Sequence, residues 1–243
     1  MRTLNLKSGL ASGVAVAALA LFPLAVAAAG PGTATSNLTN VTDGYAADST
    51  STAEAQTTAQ FVVAPGSLTL NSVPNIALSN TNVKDIATAA TTLPLSSSST
   101  VTGATTYDGD GNGTLTVNDY RGSHAGWTLT VGMGPFSSGS STVSSATLNL
   151  VTSKPTTDNA STSAPVALNI PQSTVTSGWI TNPQTLWAAA ANTGEGQNTA
   201  STTEASSLAV AKQPLISAGT YSATLYWALQ NAPTAAPAST TTP

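Results

Sequence analysis

The stretch YDGDGNGTLTVNDYRGSHAGWTLTV, Tyr107 to Val131, decides the fold at its C-terminal end. From Ala125 to Val131 the odd positions are Ala125, Trp127, Leu129 and Val131, and the even ones are Gly126, Thr128 and Thr130. Side chains of a strand point alternately to opposite faces, so this period-2 pattern predicts a β-strand with one apolar and one hydroxyl-bearing face. The segment from Tyr221 to Gln230 repeats it. Tyr221, Ala223, Leu225, Trp227 and Leu229 share one face, and Ser222, Thr224, Tyr226, Ala228 and Gln230 share the other. In each strand a Trp and a Leu two residues apart stand side by side on one surface of a sheet.

Working outward, short apolar or alternating runs bounded by Gly, Pro, Asn and Ser recur along the chain. QFVVAPGSLTL, PNIAL, TVTGATTY, GTLTVND, AGWTLTVGM, SSATLNLV, APVALNI and GTYSATLYWALQ all read as strands. No stretch sustains a 3.6-residue period, so the expected fold is all-β, a single β-sandwich or barrel-like domain. NPQTLWAAAAN is the one helical candidate, through its alanine run, but it is short enough to serve equally as an irregular strand.

The ends differ from this middle. Arg2 and Lys7 precede an apolar run from Leu10 to Leu24, and AVAAAG offers an A-x-A cleavage site after Ala27 or, alternatively, Ala29. Residues 1–27 are therefore read as a signal peptide, with no membrane anchor in the mature form. Residues 28–59 form a low-complexity lead-in with too little apolar surface to offset ordering, expected to be disordered. The β domain occupies 60–233 and a Pro- and Thr-containing tail 234–243. The chain has no cysteine, hence neither disulfides nor a lipidation site, and no LPxTG-type sorting motif. A secreted protein held at the cell surface without a covalent link is the expectation.

Only 7% of residues are charged, against about 25% in ordinary globular proteins. Without Arg2 and Lys7 the chain keeps 4 basic and 10 acidic residues, a formal charge of about −6. Nucleic acid and anionic lipid are poor partners for such a surface.

The two alternating strands also carry a family resemblance. DYRGSHAGWTLTV and GTYSATLYWALQNAP resemble the proximal and distal motifs of the WxL domain of Gram-positive surface proteins. The distal pattern Y-x-x-x-L-x-W-x-L-x-x-A-P is filled by Tyr221, Leu225, Trp227, Leu229, Ala232 and Pro233, and the proximal one by Trp127 and Leu129 after Asp119, Arg121 and Gly122. Tyr226 and Ala228 stand where the family commonly has threonines. The resemblance, over residues 60 to 233, implies non-covalent association with the cell wall through peptidoglycan, or with co-exported surface proteins, and no catalysis.

Two readings of the motif residues Trp127, Leu129, Tyr221, Leu225, Trp227 and Leu229 stay open. Exposed indoles could stack on wall sugars, whereas a core position, which the apolar company on their faces favours, would make the signature a mark of the fold. In that second case Trp179 and Trp187 become competing contact residues.

The acidic loop also has two readings. Asp108, Asp110, Asn112, Thr114 and Asp119 fall at positions 1, 3, 5, 7 and 12 of an EF-hand-type loop, with Gly113 at the turn position. Oxygen ligands at that spacing can converge on calcium, the one cofactor the sequence admits. The favoured alternative is a hairpin with GDGNG as its turn and TLTVND as its return strand. In it Asp119 pairs with Arg121.

Catalysis finds little support. His124, the only histidine, would have to serve as a hydrolase base, but GSHAG is not G-x-S-x-G. A zinc site lacks ligands. Asp108, Asp110, Asp119, Glu195 and Glu204 are available carboxylates, but nothing places two of them around a groove.

Overall fold

A computed structural model of the chain describes residues 40–41, 44–45, 49, 57–96 and 109–231. The signal peptide, most of the lead-in, TVTGATTY, Asp108, Ala232, Pro233 and the tail lie outside the described residues. The chain divides into two units, Met1–Val62 and Val63–Pro243. In the first, Asn40–Val41 pairs antiparallel with Gly44–Tyr45, so the lead-in contains a hairpin that its composition did not signal.

The second unit is built from strands. A five-stranded sheet takes the order Thr156–Thr157, Gly196–Ser201, Thr114–Asp119, Leu68–Pro74 and Gly109–Asp110. A four-stranded sheet runs Leu168–Pro171, Ala146–Leu150, Ser207–Val210 and Thr91–Pro94. A three-stranded sheet places Trp127–Met133 between Gln184–Ala189 and Leu225–Gln230. Pairings within these sheets are antiparallel except that of Leu68–Pro74 with Gly109–Asp110. The all-β expectation holds, and the sheets are open, so the barrel alternative does not apply.

One core joins the three sheets. Leu115 and Val117 come from the first, Leu148, Leu150, Ile170, Leu208 and Val210 from the second, and Trp127, Leu129, Val131, Met133, Leu186 and Trp187 from the third. Burial of this kind is the main favourable term of folding, at about 25 cal/mol per Å² of apolar surface. It also explains how a chain without cysteine holds together.

Several expected elements are corrected. In QFVVAPGSLTL the strand begins only at Leu68 and continues to Pro74, while Phe61, Val62 and Val63 are exposed and carry no strand. PNIAL forms no strand of its own: Pro74 ends the strand Leu68–Pro74, and Leu78 makes an isolated bridge to Leu95. The ambiguous NPQTLWAAAAN resolves as the strand Gln184–Ala189, with a register shift between Thr185 and Trp187. The shift lets Leu186 and Trp187, adjacent in sequence, both be buried, which a regular strand open on one side does not allow. A short helix, Val83–Thr88, appears unannounced, capped by the Asn82 side chain, which accepts from the Asp85 N–H at 3.0 Å.

Candidate functional site

The two W-x-L motifs meet in the three-stranded sheet. Leu129 lies opposite Leu229, Val131 opposite Trp227 and Met133 opposite Leu225, while Trp187 and Ala189 face Leu129 and Trp127 from the other side. Directly opposed residues share a face. Trp127, Leu129 and Val131 therefore point with Trp227 and Leu229 into the core, and Thr128, Thr130 and Gly132 point with Gln230, Ala228 and Tyr226 the other way. The face assignments made from alternation hold for Trp127–Val131 and Leu225–Gln230, while Ala125, Gly126 and Tyr221–Thr224 lie outside the strands, with only an isolated bridge from Ser222 to Ser137.

Burial separates the two motifs. Trp127 and Leu129 are 0% exposed, whereas Tyr221, Leu225, Trp227 and Leu229 are partly buried against the core. The Trp127 indole meets Trp187 edge-on, with centroids 5.2 Å apart, and its Nε1–H donates to the Gly194 carbonyl at 3.0 Å. A buried indole needs such a partner, and Gly194 is suited to supply it. Its φ is +82°, and a Cβ there would sit 2.5 Å from Trp127 Nε1. With no surface of their own, Trp127 and Leu129 cannot stack on an external ligand while the core is closed. Trp187 is likewise buried, donating through Nε1 to the Ser163 carbonyl at 2.6 Å, and so is not a contact residue.

The polar residues of the proximal motif form a clamp. Arg121 grips buried Asp119 through Nε at 2.8 Å from Oδ1 and Nη2 at 2.6 Å from Oδ2. The same guanidinium donates to the Gly126 carbonyl, just before Trp127, and to Asn231 Oδ1, just beyond the distal strand. The D-x-R-G run thus ties the entry of one motif strand to the exit of the other. Hydrogen bonds from Arg121 hold the Asp119 carboxyl below its ordinary range, and the ion pair raises the guanidinium in turn.

This clamp bears on the acidic loop. Thr114–Asp119 is an extended strand, so positions 7 and 12 of the calcium pattern lie about 17 Å apart at roughly 3.3 Å per residue. Asp119 is turned to Arg121 and cannot close on a cation held at the turn. The expected hairpin does not form either, because Gly109–Asp110 pairs parallel with Leu68–Pro74, which stands between it and Thr114–Asp119 in the sheet. Asp108 lies outside the described residues, and among the described residues no cluster of three acidic or histidine side chains is placed to hold a metal.

A second polar group lies nearby. His124, at φ +55°, has Nδ1 2.9 Å from Glu195 Oε1, and Asn159 Nδ2 donates to Glu195 Oε2 at 2.6 Å. The bonds from His124 first, then Asn159, hold the Glu195 carboxyl below its ordinary range. His124 is largely exposed, as a loop histidine. Sequence reasoning missed the Glu195 pairing because 71 residues separate the partners and no local pattern links them.

On the outer face, Tyr226 meets Trp179 edge-on, with centroids 5.3 Å apart. Among the described residues, Trp179, 47% exposed, is the one tryptophan that stands out into solvent. It was legible only by elimination, once Trp187 proved buried.

A model of a family described as WxL domain, surface cell wall-binding, matches residues 34–233 of the chain. The match begins within the lead-in, earlier than residue 60, where the motif resemblance starts. Nothing matches among curated proteins or among solved structures.

Proposed function

Because the chain belongs to the WxL domain family of surface cell wall-binding proteins, we propose that it is exported and binds the Gram-positive cell wall non-covalently, with peptidoglycan as the polymer recognised. The family is one of wall binding and not of catalysis. What supports the reading most directly is the register of the two motifs, Leu129 against Leu229 in adjacent strands of one sheet. The signature is thereby one structural unit, clamped at its end by Arg121. The acidic, sparsely charged composition argues against nucleic acid or anionic lipid as the partner.

In this reading the core residues Trp127 and Leu129 shape the sheet, and contact falls to groups on its outer face and rim. Incubating the purified mature protein with isolated walls at physiological salt tests the proposal. Sedimentation with the walls is expected, and recovery entirely in the supernatant would overturn it. Walls treated with protease separate the polymer from a co-exported surface protein as ligand. Binding that survives the treatment assigns the polymer, and binding that vanishes assigns the protein.

A further inference from the structure

From the outer face of the motif sheet we infer that Trp179 and Tyr226 form a stacking platform for an uncharged sugar, an N-acetylhexosamine unit of a glycan strand, whose neighbouring units lie in the adjoining groove. The inference rests on the wall-binding reading and names the part of the wall recognised. Trp179 is carried on a hairpin, Val175–Thr176 paired with Trp179–Ile180, through a turn whose residues Ser177 and Gly178 have φ of +54° and +81°. This is the left-handed pair that suits a two-residue hairpin and leaves the indole little freedom. The hairpin is pinned by buried Ile180 over Gly132, where a Cβ would stand 2.8 Å from the Ile180 side chain. Tyr226 then supports the indole edge-on from the distal motif strand. The place where this chain departs from the family's threonine therefore supplies half of the pair.

The groove adjoins directly. Tyr226 and Val175 both approach the same spot above Gly134, each 3.5 Å from where a Cβ would lie, and Val175 is also one wall of a cavity of about 550 Å³. That volume lies within the roughly 300–1,000 Å³ of small-ligand clefts. Ser144, Ser145, Ser173, Thr174 and Gln172 supply hydroxyls and an amide to its lining, and no ionisable side chain does. Gln172 donates through Nε2 to the Val143 carbonyl, and its buried Oε1 has no partner among the described residues. An anionic polymer would call for Lys or Arg at such a surface. A pyranose offers instead an apolar face to the indole and neutral hydroxyl and acetamido groups to the groove.

The test compares wild type, Trp179→Ala, Trp179→Phe and Tyr226→Thr, each with its thermal midpoint measured. The probes are chitohexaose, titrated by calorimetry, and wall sacculi stripped of protein and anionic polymers, assayed by sedimentation. Wild type is expected to bind both, Trp179→Ala to lose about tenfold or more on both, Trp179→Phe to retain most of the affinity, and Tyr226→Thr to fall between them. A folded Trp179→Ala that binds like wild type overturns the inference and leaves the wall reading standing, as does binding of sacculi without any binding of chitohexaose. Should Trp179→Ala fail to fold, Tyr226→Thr decides by the same comparison, with unchanged affinity overturning the platform. Chitohexaose binding that depends on Trp179, without binding to sacculi, supports the sugar site and overturns the wall reading.

Discussion

Trp127 and Trp179 are the same residue put to opposite uses. Trp127 is wholly enclosed, its N–H bonded to Gly194 and its ring against Trp187, while Trp179 stands half in solvent on a short hairpin with Tyr226 behind it. The signature tryptophan is thus part of the frame, and a tryptophan outside the signature faces the surroundings. A sequence motif can mark a family because it builds the scaffold, and Trp127 and Leu129, enclosed in the core, do so here.

Paired truncations would break this comparison most directly. Trp127→Ala removes a large buried ring and leaves the Gly194 carbonyl one donor fewer. A loss of about 3–5 kcal/mol is expected, as for large-to-small changes in cores. Trp179→Ala, at a residue 47% exposed, is expected to cost less, about 1–2 kcal/mol. Denaturant midpoints of the two variants measure the contrast, and equal losses would show that the hairpin is as much a part of the frame as the motif strand.

The same contrast explains how much was legible in the sequence. Period-2 alternation gave the faces of Trp127–Met133 and Leu225–Gln230, because the apolar side chains of each gather on the face toward the core, even though Trp127–Met133 is buried along its whole length. It failed for Gln184–Ala189, where the register shift near Thr185 buries Leu186 and Trp187 together, and for Val83–Thr88, whose six residues hold less than two helical turns. The clamp was legible in part. Asp119 and Arg121 are two residues apart and of opposite charge, but Asn231 joins them from 110 residues away. The Trp179–Tyr226 pair and the His124–Glu195–Asn159 group are likewise products of topology. Pattern reading finds what repeats locally, and the outer-face groups do not.

Acid sharpens the comparison at the level of charge. The Asp119 and Glu195 carboxyls are both held below their ordinary range in the folded protein. Such groups contribute stability that is fully present above the unfolded values, near pH 4, and is lost as pH falls through the lower folded values. Unfolding midpoints are therefore expected to hold above about pH 5 and to drop in more acidic solution. Asp119→Asn is expected to cost about 2 kcal/mol at pH 7, where Arg121 loses its charged partner, and to flatten the acid limb. Glu195→Gln, at the more exposed pair, is expected to cost less. An acid limb unchanged in Asp119→Asn would show that the clamp does not report on the frame.

The smallest expected effect concerns the acidic turn that leads into the proximal motif. Calcium needs six to eight oxygens at about 2.3–2.6 Å, so its ligands must gather within a few ångströms of one point. The strand Thr114–Asp119 carries Asp119 to its far end, where Arg121 engages both carboxylate oxygens. Recruiting Asp119 to the turn would require breaking that pair and the ladder to Gly196–Ser201, at a cost that the remaining turn oxygens do not offset. Thermal midpoints in calcium and in chelator are therefore expected to coincide within about 1 °C, since stabilisation by a ligand of the folded state grows only as its concentration exceeds its dissociation constant. A rise of several degrees in calcium, abolished by Asp110→Asn, would mean that the turn gathers a cation from its own oxygens, and would move this loop from the frame to the binding surface.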